Sequence, residues 1–329
     1  MQTRSLRFRL TVVMAGCAAM AVVSVQLHAQ GGAPRQTAPR AAASRPNLEG
    51  TWNYSSLTPL ERPAEFSGRP TLSPTEAAAF ERQLQERNNA DRRDGGVDAD
   101  VARAYNDSWY DRGTHLAVVN GVARTSLITD PPDGRVPALT PEAQARQQAR
   151  LRQRREHPAD GPEDRSLGER CLSFNAGPPM LPAPYNNYVQ IFQFRDHVVI
   201  VNEMIHDARI VPTDGRPHLS SRVKRFQGDS VGRWDGNTLV VDTTNFTDTS
   251  AFRGSSSALH LVERFTRTDA NTLLYEFTVT DPTSFARPWS AALPMQRTDE
   301  QIYEYACHEG NQAMVGILGG ARFEERNRK

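Results

Sequence analysis

The chain has 329 residues, with 39 Lys and Arg set against 38 Asp and Glu, for a formal charge of +1. So even a balance offers no electrostatic case for nucleic acid or an anionic membrane as partner.

In chain order, Arg4, Arg7 and Arg9 precede a continuous small and apolar run over 10–25, and Leu27-His28-Ala29 supplies residues tolerated before a cut. This pattern predicts a secretory signal peptide over 1–29 and a periplasmic or extracellular destination, because the run is short for a span and a polar tail follows. Cys17, within Met14-Ala15-Gly16-Cys17, is the alternative as a lipid-attachment site. Loss of the three arginines would take the charge from +1 to −2. No later stretch is long and apolar enough to be a transmembrane segment. Residues 30–46, rich in Ala, Arg, Gly and Pro, read as a disordered linker, and a single β-rich domain is expected over 47–329.

That domain opens on a strand over 48–54. Ser73-Pro74-Thr75-Glu76 has capping-box form and predicts a helix over 74–87 with Ala77, Phe80 and Leu84 on one face; a polar gap over 88–99 follows. Asn120-Gly121 predicts a tight hairpin between strands over 115–119 and 122–129. Thr140-Pro141-Glu142 opens a second, Arg-rich helix over 141–156, which reads as a solvated surface helix. From 185 onward the chain is almost wholly β, with strands over 188–194, 197–203, 208–212, 221–227, 230–234, 238–243, 259–266, 272–280, 291–297 and 302–307. A small apolar stretch over 313–321 reads as a terminal helix covering or plugging the sheet. Short connections make the pairing antiparallel and force the sheet to curl or double. The expected fold is mainly β: an antiparallel barrel of lipocalin or calycin style, or a closed sandwich, with two helical insertions before residue 160. Cys171 and Cys307 remain after the leader and are expected to pair in an oxidising compartment; the alternative is a reactive Cys307 beside His308.

Residues 203–218 concentrate Glu203, His206, Asp207, Arg209, Asp214, Arg216 and His218 on apparent strand. By alternation, Val199, Val201, Glu203 and Ile205 share a face, joined by Asp207 and Arg209 if the strand continues unbroken. Glu263 likewise lies with Leu259, Leu261 and Phe265. A carboxyl among apolar neighbours is costly unless paired, and burial moves its pKa toward acid–base work. The catalytic candidates are therefore Glu203, His206, Asp207 and Glu263, with a bend at 205–206 needed to bring His206 inward. The alternative is that each glutamate pairs with a buried arginine, among Arg209, Arg253 and Arg264. Arg209 and Arg253 are candidates for holding an anionic group, and Tyr185, Asn186 and Asn187 for contacting a hydroxylated ligand. Trp109, Trp234 and Trp289 read as core or stacking surfaces. His206, His218, His260 and His308 lie among carboxylates without any metal-ligand spacing, so no cofactor is expected; the alternative is a metal held by ligands that converge from distant strands. Gly-x-Ser-x-Gly, phosphate-loop and dinucleotide fingerprints are absent, which disfavours serine hydrolase, nucleotide-dependent and dehydrogenase chemistry.

Two resemblances accompany these readings. Gly50-Thr51-Trp52 on a first strand after a signal peptide resembles the opening of lipocalin-type barrels. Asp214-Gly215-Arg216-Pro217-His218, Gly232-Arg233-Trp234-Asp235-Gly236 with Thr238-Leu239-Val240-Val241, Ala258-Leu259-His260 with Glu263-Arg264-Phe265, and Pro288-Trp289 together resemble a widespread family of secreted bacterial proteins over roughly 105–310. The second resemblance carries no substrate, cofactor or catalytic assignment. The expected function is a cofactor-free acid–base lyase, isomerase or hydrolase acting on a polar or aromatic small molecule or glycan fragment. The alternative is a non-catalytic lipocalin-like carrier.

Overall fold

The computed structural model describes residues 45–103, 105–174, 177–249 and 252–327. The expected signal peptide, Cys17 and most of the expected linker lie outside these residues.

Ten strands form one antiparallel sheet: β1 (Gly50–Asn53), β5 (Ile128–Asp130), β6 (Tyr188–Gln193), β7 (His197–Asn202), β8 (Ala208–Pro212), β9 (Asp229–Asp235), β10 (Thr238–Thr244), β11 (His260–Arg267), β12 (Thr272–Thr280) and β13 (Trp289–Thr298). The order is β8-β7-β6-β1-β13-β12-β11-β10-β9, with β5 also on β13. A small second sheet holds β2 (Thr71–Leu72), β3 (Val118–Val119) and β4 (Val122–Arg124). The first strand therefore sits in the middle of the large sheet, and the β6–β8 and β9–β13 meanders extend from either side of it.

The mainly antiparallel β architecture is as expected, but the described residues before 160 hold three α-helices where two were expected, and the hydrogen-bonded path does not close. Its edges β8 and β9 face each other without pairing, close enough that a Cβ placed on Gly232 would stand 2.9 Å from Val211 Cγ1. Along β12 every second residue is buried, so Leu273, Tyr275, Phe277 and Val279 line the inner face. Phe265, Tyr275, Phe277 and Trp289 pack at tilted and edge-on angles across three strands with ring centroids 5.0, 5.8 and 5.7 Å apart. Each such ring contributes roughly 1.5–3 kcal/mol by leaving water. Pro294 interrupts β13 on its donor side where neither β5 nor β1 reaches, so no ladder bond is lost there.

Helix α1 (Pro74–Asn88) begins at the expected capping box: Ser73 Oγ accepts from Glu76 N–H and Glu76 Oε2 from Ser73 N–H, and Ala77, Phe80 and Leu84 are its buried residues. Helix α3 (Pro141–Glu156) starts at Thr140 and buries only Ala143, as a surface helix should. Asn120 and Gly121 both take positive φ, 53° and 79°, which is the tight hairpin turn their sequence signals.

Five expectations are corrected. The polar gap over 88–99 ends in a further helix, α2 (Gly96–Arg103). Residues 122–129 divide into β4 and β5. Residues 221–227 contribute one bridge, Arg225 to Phe246, and 302–307 form no strand, so neither stretch joins the sheet as expected. Helix α4 (Gln312–Asn327) has no buried residue, so it does not plug the sheet.

Candidate functional site

Residues 197–209 are a hairpin and not one continuous strand. β7 and β8 pair antiparallel, with Ile200 opposite Arg209 and Val201 opposite Ala208, and residues 203–207 make the turn. Asn202 N–H donates to Asp207 O at 2.8 Å, and His206 N–H to Glu203 O at 3.1 Å. Ile205 and His206 sit in the left-handed region, at φ 61° and 57°. Two consecutive side-chain-bearing residues there, one of them β-branched, mark stored strain of the kind found at functional turns. The turn resets the alternation, so Arg209 shares the inner face with Ile200, while His206 projects outward and is exposed.

Above this turn passes a strap of residues 301–311. Tyr303 N–H donates to Glu203 Oε1 at 3.3 Å, and the expected Cys171–Cys307 disulfide ties the strap down, with Cα atoms 5.7 Å apart. Tyr185, Ile205 and Tyr305 pack on buried Met204 and Ala183. Between turn and strap lies a cavity of about 310 Å³, lined by His206, His308, Glu304, Glu309 and Tyr305 among others. Behind it Glu203 is 3% exposed. Burial pushes its carboxyl pKa up, opposed by the Tyr303 N–H and the Asn186 side chain, and Asp111 adds a smaller push upward. Asp111 itself is raised by burial. Burial also pushes the Tyr54 phenol up, followed by the charges of Glu203 and Asp111. Tyr54, Glu203 and Asp111, all with pKa values raised chiefly by burial, thus lie close together beside the turn.

The other sequence candidates are placed elsewhere. Glu263 is fully buried; it accepts from Arg209 Nη1 at 2.5 Å and Nη2 at 2.9 Å, and from Tyr275 Oη at 2.8 Å. Burial and then the adjacent Glu263 push the Tyr275 phenol well up, which keeps it a donor. This closed ion pair is the alternative considered for the glutamates, with Arg209 as the partner. Asp207 accepts from Gln227 Nε2 and faces a cleft of about 510 Å³ between β8 and β9; burial raises its pKa. Asn187 is buried, bridging Ala183 N and O at 2.7 and 2.8 Å and Asp111 O at 2.5 Å, so it holds the 183–187 loop in place. Arg253 lines a separate cavity. Trp52 and Trp289 are core, whereas Trp109 is 67% exposed.

A second titratable array was only half visible in sequence. His218 Nδ1 lies 3.0 Å from Asp229 and its Nε2 3.0 Å from Asp242, whose other oxygen is 3.0 Å from His260 Nε2. Each ring nitrogen of His218 thus faces a carboxylate oxygen, and Asp242 bridges the two imidazoles. The array pins the loop over 213–228 to the outside of the sheet. Among the described residues, no group of three or more His, Cys, Asp or Glu side chains is arranged to hold a metal ion.

Of the nominated residues, then, the structure brings together Glu203, His206, Tyr185 and Asn186, and it adds Glu304, Tyr305, His308 and Glu309. The signal for these additions was their position beside Cys307. No family model, no curated protein and no solved structure matches the chain.

Proposed function

We propose that the protein is an acid–base enzyme, a lyase, isomerase or hydrolase, working without a cofactor on a small polar or aromatic molecule or glycan fragment in the strap cavity. His206 is the proton-transfer group. The supporting observation is that His206 shares a cavity of about 310 Å³ with His308, Glu304 and Glu309 on a turn held in the left-handed region. An imidazole facing a second imidazole and two carboxylates supplies both a proton donor and an acceptor to one bound molecule. The volume is at the lower end of ligand pockets, which limits the substrate to a small molecule or one sugar unit.

The test is a panel of chromogenic esters and glycosides, plus uronate and hydroxy-acid substrates whose elimination creates an absorbing double bond. Against any substrate turned over, His206→Ala and His308→Ala are expected to lower kcat by about 10²–10⁴-fold. Equal turnover by wild type and His206→Ala removes His206 from the mechanism. The second reading, non-catalytic binding, is favoured by the aromatic wall that Tyr185 and Tyr305 build on Met204; retention of a ligand by the strap cavity without turnover would select it. Its lipocalin-like form is the weaker one, since Trp52, Tyr275, Phe277 and Trp289 fill the inner face of the sheet.

A further inference from the structure

A cavity of about 550 Å³ lies between residues 56–60, the end of α1, residues 181–184 and the Phe252–Gly254 turn. Three guanidinium groups line it, those of Arg87, Arg112 and Arg253, and no carboxylate does among the described residues. Arg112 is partly committed: its Nη1 donates to Asn88 O at 3.1 Å and to Asp107 at 3.4 Å, and its plane lies 3.4 Å from the Tyr110 ring. Arg87 and Arg253 make no ion pair with a described residue. Arg253 also holds φ 54° and ψ 28°, a backbone state that side-chain-bearing residues avoid. Leu60, Leu181 and Phe252 supply an apolar wall.

Like charges gathered at a concave, partly apolar site focus a positive potential and select an anion. A guanidinium is the side chain best shaped for an oxyanion, because its N–H groups form a planar fork. The acidic groups nearby, Glu86 and Asp107, line a neighbouring cavity that shares Arg112, so they repel an anion from that side and confine it to Arg87 and Arg253. We infer that this cavity binds a small organic carboxylate, its head on Arg87 and Arg253 and its apolar body on the Phe252 wall. The inference is independent of either reading of the strap cavity.

The test titrates the full-length mature protein with phenylbutyrate and, separately, with neutral phenylbutyramide, followed by calorimetry and ligand-observed NMR. The acid is expected to bind at least about tenfold more tightly than the amide, as one charge-assisted contact implies, and to weaken as salt is added. Arg253→Gly removes the guanidinium while suiting the left-handed backbone, and Arg87→Ala removes the second charge from an exposed helix position. Each is expected to weaken the acid by about tenfold and to leave the amide unchanged. Equal affinity for acid and amide overturns the inference. So does wild-type affinity for the acid in both variants, or no saturable binding of the acid at millimolar concentration.

Discussion

Two glutamates that look alike in sequence end in opposite electrostatic situations. Glu263 has a cation in contact through both oxygens, and the Arg209 pair is sealed from water, at 0% and 6% exposure. Desolvating both charges is expensive, so the pair adds little against an apolar replacement, but removing one partner strands the other. Arg209→Met or Glu263→Leu should each cost about 3–5 kcal/mol in urea unfolding, and the two together should cost less than either alone. Simple addition of the two losses would mean that the pair is not coupled. Glu203, by contrast, has Asp111 as its acidic neighbour and takes its hydrogen bonds from uncharged groups. Its raised pKa means that the folded state holds the proton more tightly than the unfolded chain does. The associated stability is fully present below the unfolded glutamate value of about 4.3 and is lost as pH rises through the folded value. Glu203→Gln keeps the oxygen that accepts from Tyr303 and removes that loss. Its Tm should match wild type near pH 4 and exceed it at neutral pH. An unchanged Tm difference across that range would show that Glu203 is not the group losing stability.

At the scale of elements, the legible parts were those in which one face is buried along a full strand or helix. The alternation of 260–267 and 272–280, the capping box at Ser73 and the Asn120-Gly121 turn each name their own geometry, and the structure follows them. The 203–207 turn had no such mark. Positive φ is ordinarily announced by Gly or Asn, but here Ile205 and His206 adopt it. Alternation counted through the turn therefore put Arg209 on the wrong face. A strained turn with an exposed imidazole also carries a signature in stability. Both His206→Ala and His206→Gly remove the ring, but alanine keeps the Cβ that the left-handed region disfavours. The glycine variant should be the more stable by about 1 kcal/mol in thermal or urea unfolding. If alanine were equal or better, the turn at His206 would not be strained, and the main structural argument for its function would weaken.

Across the whole molecule, the candidate site exists because residues 203–206 meet residues 303–309, about one hundred positions later in the chain. No periodicity encodes such a meeting, since the strap has neither helix nor strand; only the pairing of two cysteines signalled that the tail returns. That makes the disulfide the bond on which the strap cavity depends. It joins residues 136 apart, and a loop of that size contributes about 4–5 kcal/mol by restricting the unfolded chain. Cys171→Ser with Cys307→Ser, or reduction of the wild type, should lower the unfolding free energy by up to that amount. It should also release Tyr303 from Glu203 and open the cavity that holds His206 and His308. Hydrogen exchange then separates the two effects. Amides over 301–311 and 203–207 should become nearly unprotected, while those of β10 to β13 should lose only the protection that the fall in global unfolding free energy implies, because the strap takes no part in the sheet ladder. Uniform loss of protection would instead make the disulfide a global clamp, and unchanged exchange at 203–207 would mean that the turn holds its strained form without the strap above it.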